Sequence, residues 1–491
     1  MHLEAQPAAQ STTPRRLLQA FPVTHTIFEC MDTTMSDDWR PDLGRAAGPV
    51  YLAIAEAIAA DLAAGRLAPG ARLPPQRTLA QRLGIDFTTV SRAYAEARRR
   101  GLVEGRVGQG TYVRAADPPA PRAGPVDLSM NLPPHFEDPA LIARMWREAG
   151  ELQATGLDLL LRYQEAGGAL ADREAAVLWL RDRLPGVDPE RVTVCPGAQS
   201  ALLAVIGMLA APGEVICAEA LTYPGLKALA TQLRLTVVGL AMDAEGILPD
   251  AFAAACRDHA VKALCCTPTL QNPTTATMSL LRREALVAIA RAHAVPIVED
   301  DAYGLLPQDS PPPLAALAPE LTFHIAGLAK HVSPALRIAY LIAPDSRSGA
   351  RVRAAIRATA AMASPLTAAI ATGWITSGVA QQVRDAIRAE ARARQRLAAR
   401  RLPTGGFAAH PDGFHLWLTL PVGWTRGEFA IQLRASGMGV VVSDAFATVA
   451  GPPEAVRIGL GGPASRAQIE RALTAVADTL DGAPVMTSAA V

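Results

Sequence analysis

The sequence predicts a multidomain chain: an N-terminal winged helix-turn-helix module, then an α/β domain with a mixed, mostly parallel sheet and a small α+β subdomain. Three observations carry that prediction. A basic segment at residues 48–116 holds three short helical patterns and a glycine-centred hairpin pattern. A Pro-rich connector follows at 115–125, and beyond it short apolar strand patterns alternate with helices. Such alternation builds a parallel sheet, with ligand groups gathered at strand carboxyl ends.

Composition narrows the class. With 491 residues, 50% hydrophobic and 19% charged, the chain can bury a large core. Its longer apolar runs, such as 201–211, stop well short of the ~20 residues of a membrane span. The polar N-terminus carries no secretory h-region, so a cytoplasmic protein is expected. Six cysteines (Cys30, Cys195, Cys217, Cys256, Cys265, Cys266) lack CxxC spacing and read as reduced core residues. The nine histidines show no zinc spacing, so no metal is expected.

Residues 1–46 lack periodicity and are expected to be disordered, with Met35 an alternative start; 481–491 reads as a tail. From 48 to 116 ten arginines stand against five acids, +10 − 5 = +5, in a chain whose net charge is +1. A basic module on a neutral body points to a polyanion partner. Helical patterns at 50–64, 76–83 and 88–100 are separated by a Gly/Pro-rich turn at 65–75 and a turn at 84–86. In the third, Val90, Ala93, Tyr94 and Ala97 share an apolar face, which turns Thr88, Arg92 and Arg99 outward with Thr89 and Ser91 flanking. Two strand patterns around Gly108-Gln109-Gly110 complete a wing.

The stretch ARLPPQRTLAQRLGIDFTTVSRAYAEARRRGLVEGRVGQGTYV resembles the DNA-binding domain of GntR-type bacterial regulators, here drawn at 47–114. That resemblance implies DNA contacts from Arg77, from Gln109 and Gly110 of the wing, and from the start of the recognition helix: Phe87, Thr88, Thr89, Ser91 and Arg92. Where many GntR domains carry early arginines, this helix has Phe87 and Ser91, so Phe87 is expected against a thymine methyl or the sugar backbone.

Beyond the connector, one residue type is scarce. The chain has three lysines against 44 arginines, and only a lysine amine forms a Schiff base with an aldehyde. Lys227 falls in a helical pattern and Lys262 opens a strand, whereas Lys330 lies at a strand-to-loop transition, with Arg337 seven positions on. A solvated loop lysine is the alternative. Other polar groups share such positions: Asp300 and Tyr303 after the strand PIVE, Asn272 before Pro273, and Tyr223 in LTYPG. Pro196-Gly197-Ala198-Gln199 leads from a strand into a helix, where free N–H groups favour phosphate. Together these are the parts a pyridoxal phosphate site needs.

In this order the pattern resembles fold-type I aminotransferases over 126–480, with a small subdomain at about 345–480. The resemblance implies Lys330 as the Schiff-base lysine, Asp300 on the pyridine nitrogen, and Asn272 and Tyr303 on the phenolic oxygen. It implies Ala198, Gln199 and Arg337 at the phosphate, Tyr223 on the ring, Arg457 for a substrate or effector carboxylate, and Tyr163 reaching the neighbour's phosphate in a homodimer. Gly327 and Ala329 stand where relatives have serines, and Thr275 replaces the glycine of NPTG, so a weaker phosphate cradle is expected. A GntR-like domain joined to an aminotransferase-like domain resembles the MocR regulators. The expected function is a pyridoxal 5'-phosphate-dependent DNA-binding regulator that senses the cofactor or an amino compound joined to it. A working aminotransferase with a DNA-docking domain is the second reading.

Overall fold

The computed structural model describes residues 39–41, 43, 48–64, 66–68, 70–106, 110–113, 126–152 and 156–482. The chain forms two compact units, divided between Ala123 and Gly124.

In the first unit, helices α1 (Val50–Ala63), α2 (Gln76–Leu83) and α3 (Phe87–Arg99) precede an antiparallel hairpin of β1 (Val103–Arg106) and β2 (Gly110–Val113). Gly84, in the left-handed region at φ 65°, ends α2. Two residues on, the Asp86 carboxylate accepts the Thr88 N–H at 2.7 Å and so caps α3. The expected apolar face of α3 is the buried one: Val90, Ala93, Tyr94 and Ala97 pack with Ile54, Ile58 and Leu79. Residues 70–73, read as a plain turn, run beside the hairpin instead. Leu73 N–H donates to Thr111 O and Val113 N–H to Ala71 O, both at 2.8 Å, which satisfies backbone groups that a turn would leave open.

The expectation of disorder throughout 1–46 is corrected at its end. Trp39 is buried in the core of this unit and donates its indole N–H to Asp61 Oδ2 at 2.7 Å. An isolated tryptophan in a polar stretch carries no period, so its anchoring role was not legible. The remainder of 1–46, Cys30 included, lies outside the described residues apart from Arg40, Pro41 and Leu43.

The second unit is built on a seven-stranded sheet. Its order is Val192–Cys195, Ala339–Ile342, Thr322–Gly327, Ile297–Asp300, Val261–Cys266, Val215–Glu219, Thr236–Leu240. Ala339–Ile342 runs antiparallel to both neighbours, and the other pairings are parallel. The central strands are continuous apolar runs because helices cover both faces. A four-stranded antiparallel sheet forms the smaller body: Phe407–Ala409, His415–Thr419, Ala455–Gly459 and Val441–Val442, packed by helices Val379–Arg401, Arg426–Ala435 and Arg466–Asp481. Val126–Asp127 returns to it, pairing with Met438–Gly439.

Two expectations change here. The Ala/Arg-rich pattern of residues 348–376 predicts a single helix, but the chain forms two there, Ser346–Ala360 and Pro365–Thr376. Pro365 cannot continue a helix from before it, and Ala361 turns the chain at φ 62°. The small subdomain also begins later than about 345. Val352 and Ile356 of the first of these helices are buried with Ala201, Val205 and Leu341 of the large sheet layer.

Candidate cofactor site and nucleic-acid interface

The carboxyl ends of the large sheet open into a cavity of about 470 Å³, whose walls include Lys330, Asp300, Tyr303, Asn272, Tyr223, Ala198, Gln199, Arg337 and Arg457. Eight of these nine residues meet there because the strands of the large sheet bring their ends to one edge, and Arg457 reaches in from the small sheet. Strand Ile297–Asp300 delivers Asp300, and Thr322–Gly327 runs into the turn that carries Lys330.

Lys330 is the lysine of this cavity; Lys227 donates to the Asp444 and Ala445 carbonyls, and Lys262 pairs with Glu214 at 3.1 Å. The Lys330 amine donates to the Asn131 backbone carbonyl. Burial and the nearby Arg457 charge press its pKa down to about 8, against the pull of Asp300. Asp300 is pushed the other way, up to about 7, by burial and by the carboxylates Asp301 and Glu219; Lys330 and His324 oppose the shift. Its Oδ1 is buried with no protein partner. A buried acceptor without a donor costs about 1–3 kcal/mol, and this oxygen is open to a donor from a ligand.

Also in the cavity lining, Gly197 (φ 83°) turns the chain into helix Ala198–Leu209. The Arg337 guanidinium lies against this turn: a Cβ on Gly197 would come within 3.0 Å of Nη2. An arginine beside free N–H groups at a helix start favours an anion. Gln199 donates to Gly225 O at 3.0 Å and leaves Oε1 buried without a partner. Gly327 and Ala329 add no hydroxyl to this wall. Thr275 adopts φ 65°, a strained conformation for a β-branched residue.

Arg457, on strand Ala455–Gly459, donates to Asn272 Oδ1 at 2.9 Å and to Ser129 O, and its Nε has no partner. Tyr223, half-exposed at the start of helix Pro224–Gln232, borders the mouth. Tyr163 is 89% exposed and does not line the cavity of its own chain.

Sequence reading missed what lies beneath and beside these groups. Asn131 donates its side-chain N–H to Tyr303 Oη at 2.8 Å. Behind Asp300, Arg183 makes a bidentate pair with Asp301 at 2.6 and 2.9 Å, and His324 Nδ1 meets Glu299 Oε2 at 2.9 Å, all buried. The Glu299 carboxylate also accepts the Leu314 and Ala315 N–H groups. Polar residues inside apolar strands were the one available signal, in the sequence PIVEDD and in the lone His324 of LTFHIAG.

In the first unit, Arg77 on α2 places its guanidinium 5.9 Å from the Phe87 ring at the start of α3. Arg72, Pro75, Gln76, Arg77, Phe87 and Gly110 border one groove of about 280 Å³. Thr88 donates its hydroxyl to the capping Asp86. Thr89 and Ser91 are partly exposed, while Arg92 lies 4.4 Å over the Tyr51 ring of α1. Gln109 lies outside the described residues.

Against known families, the model for aminotransferase class I and II matches residues 123–476, and that for bacterial regulatory proteins of the gntR family matches 50–113. The chain belongs to the aminotransferase class I and II family and carries a gntR-family domain ahead of it, the MocR arrangement. It is a DNA-binding transcription regulator of that class. This MocR-type chain is 28% identical to the uncharacterized HTH-type transcriptional regulator YdeF of Bacillus subtilis, over 90% of its length and 97% of the relative's. To the vitamin B6 salvage pathway transcriptional repressor PtsJ of Salmonella typhimurium it is 27% identical, over 85% and 94%. Among solved structures, LysN, the alpha-aminoadipate aminotransferase of Thermus thermophilus, superposes with a TM-score of 0.66 at 22% identity, covering 73% of this chain and 93% of that one. Among the described residues no helix is long and apolar enough to cross a membrane.

Proposed function

We propose that this regulator holds pyridoxal 5'-phosphate in the Lys330 cavity and changes its DNA binding when the cofactor, or an amino compound joined to it, occupies that site. The observation that carries the reading is the pairing in one cavity of a lysine amine lowered to about 8 with an orphaned buried carboxylate oxygen on Asp300. A cavity of this size falls within the usual range for small ligands, about 300–1,000 Å³.

Bound there, the cofactor would supply an electrophilic aldehyde on an electron-withdrawing pyridine ring. The protein's own groups divide the remaining work. Asp300 accepts a hydrogen bond from the ring nitrogen and balances its charge. Arg337 and the N–H groups at Ala198 and Gln199 hold the phosphate without help from serines at 327 or 329. Tyr303 and Asn272 address the phenolic oxygen, Tyr223 covers the ring face, and Arg457 receives an effector's carboxylate. Lys330, in part unprotonated near neutral pH, presents a nucleophilic amine. In a homodimer Tyr163 would reach the neighbouring phosphate, which makes the dimer the working unit.

The tyrosine-, asparagine- and arginine-bearing walls would serve amino-group transfer as well as sensing. The test is therefore double. Borohydride should fix pyridoxal phosphate on Lys330 alone of three lysines, and on a separate, unreduced preparation a panel of amino acids and amines should be screened both for a spectral change and for altered operator affinity. An effector that changes affinity without turnover supports sensing. Label on Lys227 or Lys262 with none on Lys330 would overturn the assignment.

A further inference from the structure

The segment Leu128–Pro133 threads between the two bodies of the second unit. It touches strand Ala455–Gly459 so closely that a Cβ on Gly459 would lie 2.7 Å from Met130 O, and one on Gly461 would overlap Leu132 O. Glycines at these places admit the backbone, and the segment is held by them. Asn131 is thereby set against both reactive groups of the cavity.

Three atoms of Asn131 matter. Its backbone carbonyl accepts from Lys330 Nζ, its side-chain N–H donates to Tyr303 Oη at 2.8 Å, and its Oδ1 is buried without a partner in a residue 7% exposed. A phenol that accepts one hydrogen bond still has its own proton to donate. Asn131 presents its amide donor to the phenol, so this proton cannot return to Asn131 and is free to point into the cavity. We propose that Asn131 is a positioning residue that makes Tyr303 a donor toward the ligand, selecting a ring that bears an acceptor oxygen beside its aldehyde. This rests on the reading of the cavity as a pyridoxal phosphate site. The proton sits on Tyr303 before any ligand arrives, because burial raises that phenol's pKa, with Arg457 opposing.

An aspartate at 131 keeps the shape but can only accept, which draws the Tyr303 proton away from the cavity. A donor on the phenolic oxygen stabilises its anion and lowers the pKa of the neighbouring lysine–cofactor nitrogen. The experiment follows the pH titration of the bound cofactor's visible absorbance in wild type, Asn131→Asp, Tyr303→Phe and the double variant. Asn131→Asp is expected to raise the midpoint, with an excess of about one unit over the shift it causes in the Tyr303→Phe background. That background isolates the plain effect of added charge. Equal shifts in both backgrounds would overturn the proposal. Asn131→Leu, which adds no charge, should raise the midpoint by a smaller amount, and no shift at all would also count against it. Should wild type take up no cofactor under borohydride trapping, the reading of the cavity fails instead, an outcome distinct from equal shifts.

Discussion

Replacing Asp300 by asparagine should stabilise the cofactor-free protein, and by an amount that grows with pH. In the fold this carboxyl is raised from 3.8 to about 7 by burial, Asp301 and Glu219. A carboxylate with a raised folded pKa favours folding at low pH, and the contribution is lost as pH climbs from the unfolded value through the folded one. The gap of about three units corresponds to about 4 kcal/mol at full ionisation. At pH 5 the cost of Asp300 relative to a neutral isostere is about 2 kcal/mol, and at pH 7.5 it is about 4. Lys330, lowered to about 8, stays mostly charged across that window in wild type, and the loss of the Asp300 pull in the variant, which lowers this amine further, trims the difference only towards its upper end. Urea denaturation of wild type and Asp300→Asn, both freed of cofactor, should therefore show the variant's advantage widening by about 2–3 kcal/mol from pH 5 to pH 7.5. The same variant should bind pyridoxal phosphate poorly, a trade of stability for function. A pH-independent difference, or a variant less stable than wild type at pH 7.5, would refute the reasoning.

Other outcomes follow from the same geometry. The rate at which Lys330 is captured by pyridoxal phosphate should rise with pH through a midpoint near 8, read by stopped-flow absorbance; a midpoint near 10 would mean that the amine is solvated. Arg183→Leu leaves the Asp301 carboxylate buried and unpaired and should cost about 3–5 kcal/mol in denaturation, most of it recovered when Asp301→Asn is added. Arg77→Ala should lower the slope of log affinity against log salt by about one, measured on specific and random DNA alike. Arg457→Ala should keep cofactor binding while losing the operator response to a carboxylate-bearing effector, allosteric coupling being typically about 1–3 kcal/mol; an undiminished response would assign the signal to cofactor occupancy or to an amine without a carboxylate.

Much of the molecule was legible before folding. The period of α3 named its buried residues, Val90, Ala93, Tyr94 and Ala97, because a helix in a small unit must bury the face its spacing defines. The scarcity of lysine singled out Lys330, and Asp300, Asn272 and Arg337 were legible because each follows or precedes an apolar strand whose end had to face one edge. Local chemistry was misjudged where a single residue overrides a pattern: Pro365 divides a helix that Ala/Arg periodicity ran together, and Trp39 anchors a stretch read as unstructured.

Tertiary structure alone decided what stands next to what. Nothing near Asn131 in sequence announces that its amide meets Tyr303, 172 positions away, or that its carbonyl holds Lys330. Likewise the Arg183–Asp301 pair, which lies directly behind Asp300, is invisible to periodicity because it joins a helix end to a strand end 118 positions apart. Periodicity reports which face of an element avoids water, a property of neighbours three or four residues apart. The protonation of Lys330 and Asp300 depends on burial and on charges brought in from other elements, and those distances exist only once the sheet has brought its strand ends together.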